Sequence, residues 1–240
     1  MSLGEVESAG VIMGARRARL LEVSHEDYVS TIYRLREVYG LVKLSDISRE
    51  LGVKPSTTFK ALSHLERIGL VKRCKYREVT LTDKGENLAR RIVRKHRIAE
   101  AFLAYNLGVD IFDSHYYAHY LEHLPDELVE RMYILAGYPQ KCPHGNVIPG
   151  TEITETSVLA TKKHTKLSEA VRGFYRVERI AGEFSTILPA LKELQLKPGM
   201  IIEVVEQTPR YTVIRQDQVL REVSKHVAFI VILEPVFTQL

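Results

Sequence analysis

The 240-residue chain is 45% hydrophobic and 27% charged, ordinary for a soluble globular protein with room for one large domain or two to three small ones. No apolar run reaches the length of a membrane span, and the longest, "VAFIVIL" (227–233), suits a buried strand. Two cysteines, Cys74 and Cys142, exclude a disulfide framework, and with no signal peptide in view they point to a reducing, cytoplasmic setting. The net charge of +4 is unevenly spread. Lys54 to Arg77 holds seven Lys/Arg against one acidic residue, and Lys84 to Arg97 holds six against one. Such a basic face suits a partner rich in phosphates.

Residues 1–22 lack periodicity and read as a flexible extension. "SHEDYVSTIYRLREVYG" (24–40) predicts a helix capped by Ser24, with Tyr28, Ile32, Leu35 and Val38 as its apolar stripe. "KLSDISRELGV" (43–53) predicts a second helix with Ser45 as candidate cap and Gly52 at its end. "PSTTFKALSHLERIGL" (55–70) predicts a third, with Phe59, Leu62, Leu65 and Ile68 facing inward. Two short β-type runs joined around Lys75–Arg77 then predict a hairpin.

Three helices and a hairpin, with a tight turn between the second and third helices, describe a winged helix-turn-helix. The third helix would read double-stranded DNA. Lys54, Ser56, Thr57, Thr58 and Lys60 at its start, with Lys75 and Arg77 on the hairpin, are the candidate DNA contacts. The alternative is a helix-hairpin module used for protein contacts.

A long helix over 82–108 follows, then one over roughly Asp113–Leu124, then "PDELVERMYILAG". Their apolar surface exceeds what a small winged helix covers, which predicts a homodimer interface and a palindromic operator. "YPQKCPHGNVIPG" (138–150) reads as a linker or ordered loop, and a polar connection runs on to about Leu167. Five strand-like runs with a short helix over 185–194 then predict a small SH3-like β-barrel. The predicted fold is mainly α with a small β domain. Its parts are a DNA-binding domain (23–92), a helical dimerisation and metal-binding domain (93–150), a linker (151–167) and the barrel (168–240).

"SHYYAHYLEH" (114–123) places His115, His119, Glu122 and His123 within a stripe about 100° wide on one helix face. His96 and Glu100 form an i,i+4 pair on the preceding helix. Imidazole with carboxylate suits Fe, Mn, Zn, Co or Ni, and the scarcity of thiols argues against a Cys-type zinc site. A single histidine more often packs than binds metal; it is the clustering that favours metal. Tyr116, Tyr117 and Tyr120 are expected only to pack, as are His25, His64, His144, His164 and His226. One rival is chemically specific: "HYLEH" (119–123) fits the inverted zinc-peptidase pattern, with Glu122 as general base. Another is a metal-independent winged-helix regulator.

"EDYVSTIYRLRE", "LERIGLV", "LTDKGENLA", "RKHRIAE" and "GNVIPG" together resemble the recurring stretches of the diphtheria-toxin-repressor family of iron- and manganese-dependent regulators, in the family's order and from about Ser24 to the C-terminus. That resemblance implies a metal-activated repressor of metal-uptake genes, not an enzyme, with Fe(II) or Mn(II) as corepressor and Zn(II) or Co(II) open. It implies a primary site of Asp27, His119, Glu122 and His123 and an ancillary site of His96, Glu100 and His115, with Glu183 as a candidate oxygen ligand from the barrel. His119 departs from the family, where that position is Cys in iron-responsive members and Glu in manganese-responsive ones. Ser30 likewise replaces a Glu used by some manganese members.

Overall fold

The computed structural model describes residues 23–73, 78–151 and 164–236. The expected extension, the hairpin tip with Lys75 and Arg77, and most of the expected linker lie outside the described residues. Helix α1 (His25–Tyr39) starts in a capping box. Ser24 Oγ accepts from Asp27 N (3.2 Å), and Asp27 Oδ2 accepts from Ser24 N (2.7 Å). Helix α2 (Leu44–Leu51) begins one residue before Ser45. Asp46 accepts from Lys43 N (3.1 Å) there, so the acidic side chain caps in place of the expected Ser45. Helix α3 (Pro55–Arg67) opens on Pro55, whose missing N–H costs nothing in a first turn.

The inward face of α3 keeps the middle of the predicted stripe but not its ends. Leu62 and Leu65 are buried, but Phe59 and Ile68 are exposed and Thr58 is fully buried. Thr58 Oγ1 and Ser48 Oγ of α2 share a hydrogen bond at 3.0 Å. Thr58 is therefore a helix-packing residue and not a DNA contact, because its hydroxyl is spent inside the helix-turn-helix. Lys54, Ser56, Thr57 and Lys60 stand exposed around the same turn. Strands β1 (Val71–Arg73) and β2 (Val79–Leu81) pair antiparallel as the wing.

Helix α4 (Asp83–Leu107) is the spine, packing on α1 and on the two helices that follow it. Thr82 Oγ1 caps it by accepting from Gly85 N (3.1 Å). Gly85 is obligatory, since a Cβ there would lie 1.9 Å from Leu70 O. Helix α5 (Ile111–Leu121) starts earlier and stops earlier than predicted, leaving Glu122 and His123 just past its last turn. Helix α6 (Asp126–Leu135) completes this layer over a small core that includes Ile98, Leu103, Ala118, Val129 and Ile148.

The C-terminal part runs β3 (Thr165–Lys166), β4 (Gly173–Ile180), α7 (Leu188–Leu194), β5 (Ile201–Gln207), β6 (Tyr211–Gln216), β7 (Val219–Ser224), α8 (Lys225–Ile230) and β8 (Val231–Pro235). Its six strands form one antiparallel sheet in the order β3-β8-β4-β5-β6-β7. The apolar run over 226–233, predicted as a single strand, divides. Ser224 Oγ accepts from Val227 N (3.4 Å) and starts α8, and only from Val231 does the chain extend. A continuous apolar run has no period to tell helix from strand. Buried residues of α1–α3 and of the sheet belong to one core, with Phe184 stacked on Tyr39 of α1 at 5.7 Å. That shared core sets the sheet domain against α1, beside the histidine-rich region.

Candidate metal centre

Three groups of donors adjoin one another between α1, α4, α5, the 138–150 loop and the sheet domain. In the first, Asp27, Glu122 and His123 each offer an atom within 4.8 Å of the others. His123 Nε2 is 3.5 Å from Asp27 Oδ1 and 3.7 Å from Glu122 Oε1. The other ring nitrogen, Nδ1, is 2.9 Å from Glu26 Oε2. That bond directs Nε2 at the other two carboxylates, as an outer carboxylate does for a metal-bound imidazole. Because α5 ends at Leu121, His123 swings away from the helix axis toward α1.

The second group centres on α4. His96 Nε2, His115 Nδ1 and Glu100 Oε1 lie 3.0 Å from one another, pair by pair. Donors on one octahedral ion with bonds of about 2.1 Å are about 3.0 Å apart, so the triangle matches one face of six-coordinate Fe(II) or Mn(II). All three side chains are buried. His119 joins this group more closely than the first. Its Nε2 is 3.2 Å from His115 Nε2, and its Nδ1 is 3.3 Å from Glu122 Oε1.

Sequence reasoning missed two members, Cys142 and His144, of the third group, which comprises Glu100, Cys142, His144 and Glu183, all within 4.8 Å and all buried. The sequence leads one to expect His144 only to pack, and Cys142 is one of just two thiols in the chain. The available signal was the C-x-H spacing in "KCPHGN", a soft thiol and a borderline imidazole inside a loop read as a linker or ordered loop. Gly145 makes that loop possible. It sits at φ +86°, with a would-be Cβ 2.5 Å from Glu178 O, so the loop lies flat on β4. Glu183 sits here and not beside His115. Its Oε1 accepts from Asn146 Nδ2 (2.5 Å) and Arg97 Nε (3.3 Å), and Cys142 Sγ approaches it at 3.4 Å.

The electrostatics suit cations. Burial lowers the His96 pKa, but Glu100 and Glu122 outweigh it and raise the ring to about 9. Burial also pushes His115 well below the usual histidine range. It pushes the Cys142 thiol up, with Glu100 and Glu183 adding to the effect. Among the described residues, Glu100 Oε2, Glu183 Oε2 and His144 Nε2 are buried without a hydrogen-bond partner. Glu100 Oε2 is 3.3 Å from His144 Nδ1 but not aligned to bond it. Buried polar atoms left unpaired are costly, and three of them on residues of one buried donor group fit a bound ion.

Residues 21–79 match the iron dependent repressor N-terminal DNA binding domain, and residues 82–150 match the iron dependent repressor metal binding and dimerisation domain. The two matches together take in more than half of the chain. The chain belongs to the iron-dependent repressor family. Among relatives, the HTH-type transcriptional regulator MntR of Lysinibacillus sphaericus is 41% identical over 87 residues, which is 36% of this chain and 62% of that protein. Iron-dependent repressor IdeR of Mycobacterium tuberculosis is 36% identical over 126 residues, 52% of this chain and 55% of that one. The matched region thus spans less than two thirds of these relatives. Solved structures align more fully. The manganese regulator SloR (28% identity, TM-score 0.76) and T. acidophilum IdeR (26%, 0.74) each align over 90% of this chain and 100% of their own. This repressor-family architecture is the one described above: a helical DNA-binding part, a helical middle and an antiparallel sheet domain.

Proposed function

We propose that the protein is a divalent-metal-activated transcriptional repressor that binds palindromic DNA as a homodimer in the cytoplasm, with Fe(II) or Mn(II) as corepressor and metal-uptake genes as its targets. The observation that carries this is the row of donors running from α1 of the DNA-binding part through α4 and α5 to the sheet domain. Asp27, Glu122 and His123 would hold one ion, with His119 at its border. His96, Glu100 and His115 would hold a second, and Cys142, His144 and Glu183, sharing Glu100, a third. Bound ions would supply positive charge that locks ligands from separate elements together and satisfies the buried carboxylates. The 2-His-1-carboxylate face favours Fe(II) or Mn(II), whereas the thiol set suits softer Zn(II) or Co(II).

The chain's own residues supply the link to DNA. Asp27 belongs to the first turn of α1, so engaging it against Glu122 and His123 fixes α1, and the packed α2 and α3, on the helical middle. In a dimer this sets the separation of the two α3 helices and selects one half-site spacing. The exposed Tyr105, Leu107, Tyr116, Tyr117, Tyr120 and Leu135 of α4–α6 supply the apolar surface for that dimer. A peptidase role gains no support. H-x-x-E-H chemistry needs His119 and His123 on one ion, yet His119 turns to His115 and His123 to Glu26 and Asp27.

Selection of binders from random duplex DNA tests the reading, run anaerobically at fixed salt with Fe(II), Mn(II), Zn(II) or chelator. A palindrome enriched only with metal is the expected result. The same palindrome with chelator would make the protein a metal-independent regulator.

A further inference from the structure

Beside Phe229, which stacks on Tyr39 of α1 at 5.5 Å, the segment 182–186 carries the sheet domain onto the helix-turn-helix, and that segment also holds a candidate ligand. Gly182 (φ +85°) and Glu183 (φ +42°) form a left-handed turn pressed against α1, where a Cβ on residue 182 would lie 2.7 Å from Val38. Glu183 reaches the Cys142 group. Two residues on, Ser185 Oγ lies 3.3 Å from His115 Nε2. From the same stretch, Ser185 N donates to Glu50 Oε1 (2.8 Å) and Thr186 Oγ1 to Glu50 Oε2 (3.0 Å). Glu50 is a buried carboxylate near the end of α2. Two residues before it, Ser48 bonds Thr58 of α3.

We propose that Glu50 is the positioning residue through which the turn 182–186 sets the helix-turn-helix, so that ligand engagement at Glu183 and His115 is read at α3. The inference rests on the metal-activated reading above. A buried carboxylate needs its donors, and both of Glu50's recorded side-chain partners come from this turn. When Glu183 and His115 are engaged as ligands, Ser185 and Thr186 hold their places and α2 is seated with α3 attached. When the turn is loose, Glu50 loses both donors and α2 gains an incentive to leave the sheet domain for water. The coupling is therefore a difference in seating of one helix pair, which both DNA and metal bias.

The test uses full-length Glu50→Gln, Thr186→Val and Thr186→Ser beside wild type. Co(II) stoichiometry and thiolate absorption report the sites, and anisotropy reports affinity for the selected palindrome with Co(II) or chelator. Thr186→Val keeps the side-chain shape and loses only the donor, so it carries the test if Glu50→Gln folds poorly. Expected are wild-type Co(II) binding in Thr186→Val, a gain in operator affinity with Co(II) reduced by about tenfold or more, within the ~5–150-fold range of site coupling, and a normal gain in Thr186→Ser. Operator should likewise tighten Co(II) binding in wild type but not in Thr186→Val. A full gain in Thr186→Val, or loss of Co(II) from it, would overturn the role of Glu50. Absence of any gain in wild type would instead remove the metal-activated reading itself.

Discussion

The outermost donor groups differ in burial and in what holds them. Cys142, His144, Glu100 and Glu183 are each at most 2% exposed and come from α4, a glycine-pinned loop and the sheet domain. Asp27 and His123 have side chains 21% and 30% exposed and come from α1 and the end of α5. The buried group resembles a staple, closing the 138–150 loop onto the sheet. The outer group straddles a joint and is open to solvent, as a site that follows changing metal levels must be. On the proposed reading, the first would mainly hold the architecture and the second would follow the metal level.

Cys142→Ser should break the comparison most. Thiolate-to-Co(II) absorption should vanish and one ion per protomer be lost, with affinity at that group down more than about 100-fold, beyond the ~10–100-fold of outer-shell losses. Titration of Co(II) by absorbance checks this, and an unchanged spectrum would remove Cys142 from the ligands. Asp27→Asn keeps an acceptor for the Ser24 cap while removing the charged ligand. It should abolish metal-stimulated operator binding yet leave the thiolate spectrum, the dimer and the thermal transition intact; full stimulation in this variant would mean the outer group is not the sensor.

Raising the pH should widen the difference between metal-free and loaded protein. His96 has its pKa raised from 6.5 to about 9 by Glu100 and Glu122, so its stabilising contribution is complete below 6.5 and lost as pH rises through 9. Metal-free protein should lose stability over that window, by at most about 3 kcal/mol. A ligated His96 must give up its proton, so affinity at the central group should rise about tenfold per pH unit up to 9. Calorimetric melts with and without Mn(II) at pH 6.5, 7.5 and 8.5 should diverge accordingly, and parallel curves would exclude His96 as a ligand. Glu26→Gln, the mildest change, should weaken only the outer group, by about tenfold at the low end of outer-shell effects, since Glu26 is itself partly exposed. Equilibrium dialysis against Mn(II) would show whether it does.

Much was legible where the information is local. Caps at Ser24 and Thr82, Pro55 at a helix start and Gly52 and Gly108 at helix ends are set by neighbours three or four residues away, and the two wing strands pair across a short hairpin. The histidine stripe of α5 was legible for the same reason. Thr58 and Phe59 were not separable, because an amphipathic α3 leaves its face uncertain by one position until α2 packs and takes Thr58 through Ser48. The run 226–233 carried no period at all.

By itself, then, the sequence determined the helices, the wing, the basic N-terminal half and the presence of an imidazole–carboxylate centre. Only the tertiary structure decided which ligands meet. Cys142 and His144 are more than forty residues from Glu100 in the chain. They join it because Gly145 lays their loop on β4, while Asn146 and Arg97 hold Glu183 in place. His119 turns toward His115, and His123 toward α1, because α5 ends between them. Donor spacing within a helix follows from 3.6 residues per turn, whereas meetings between elements follow from packing, which leaves no local trace.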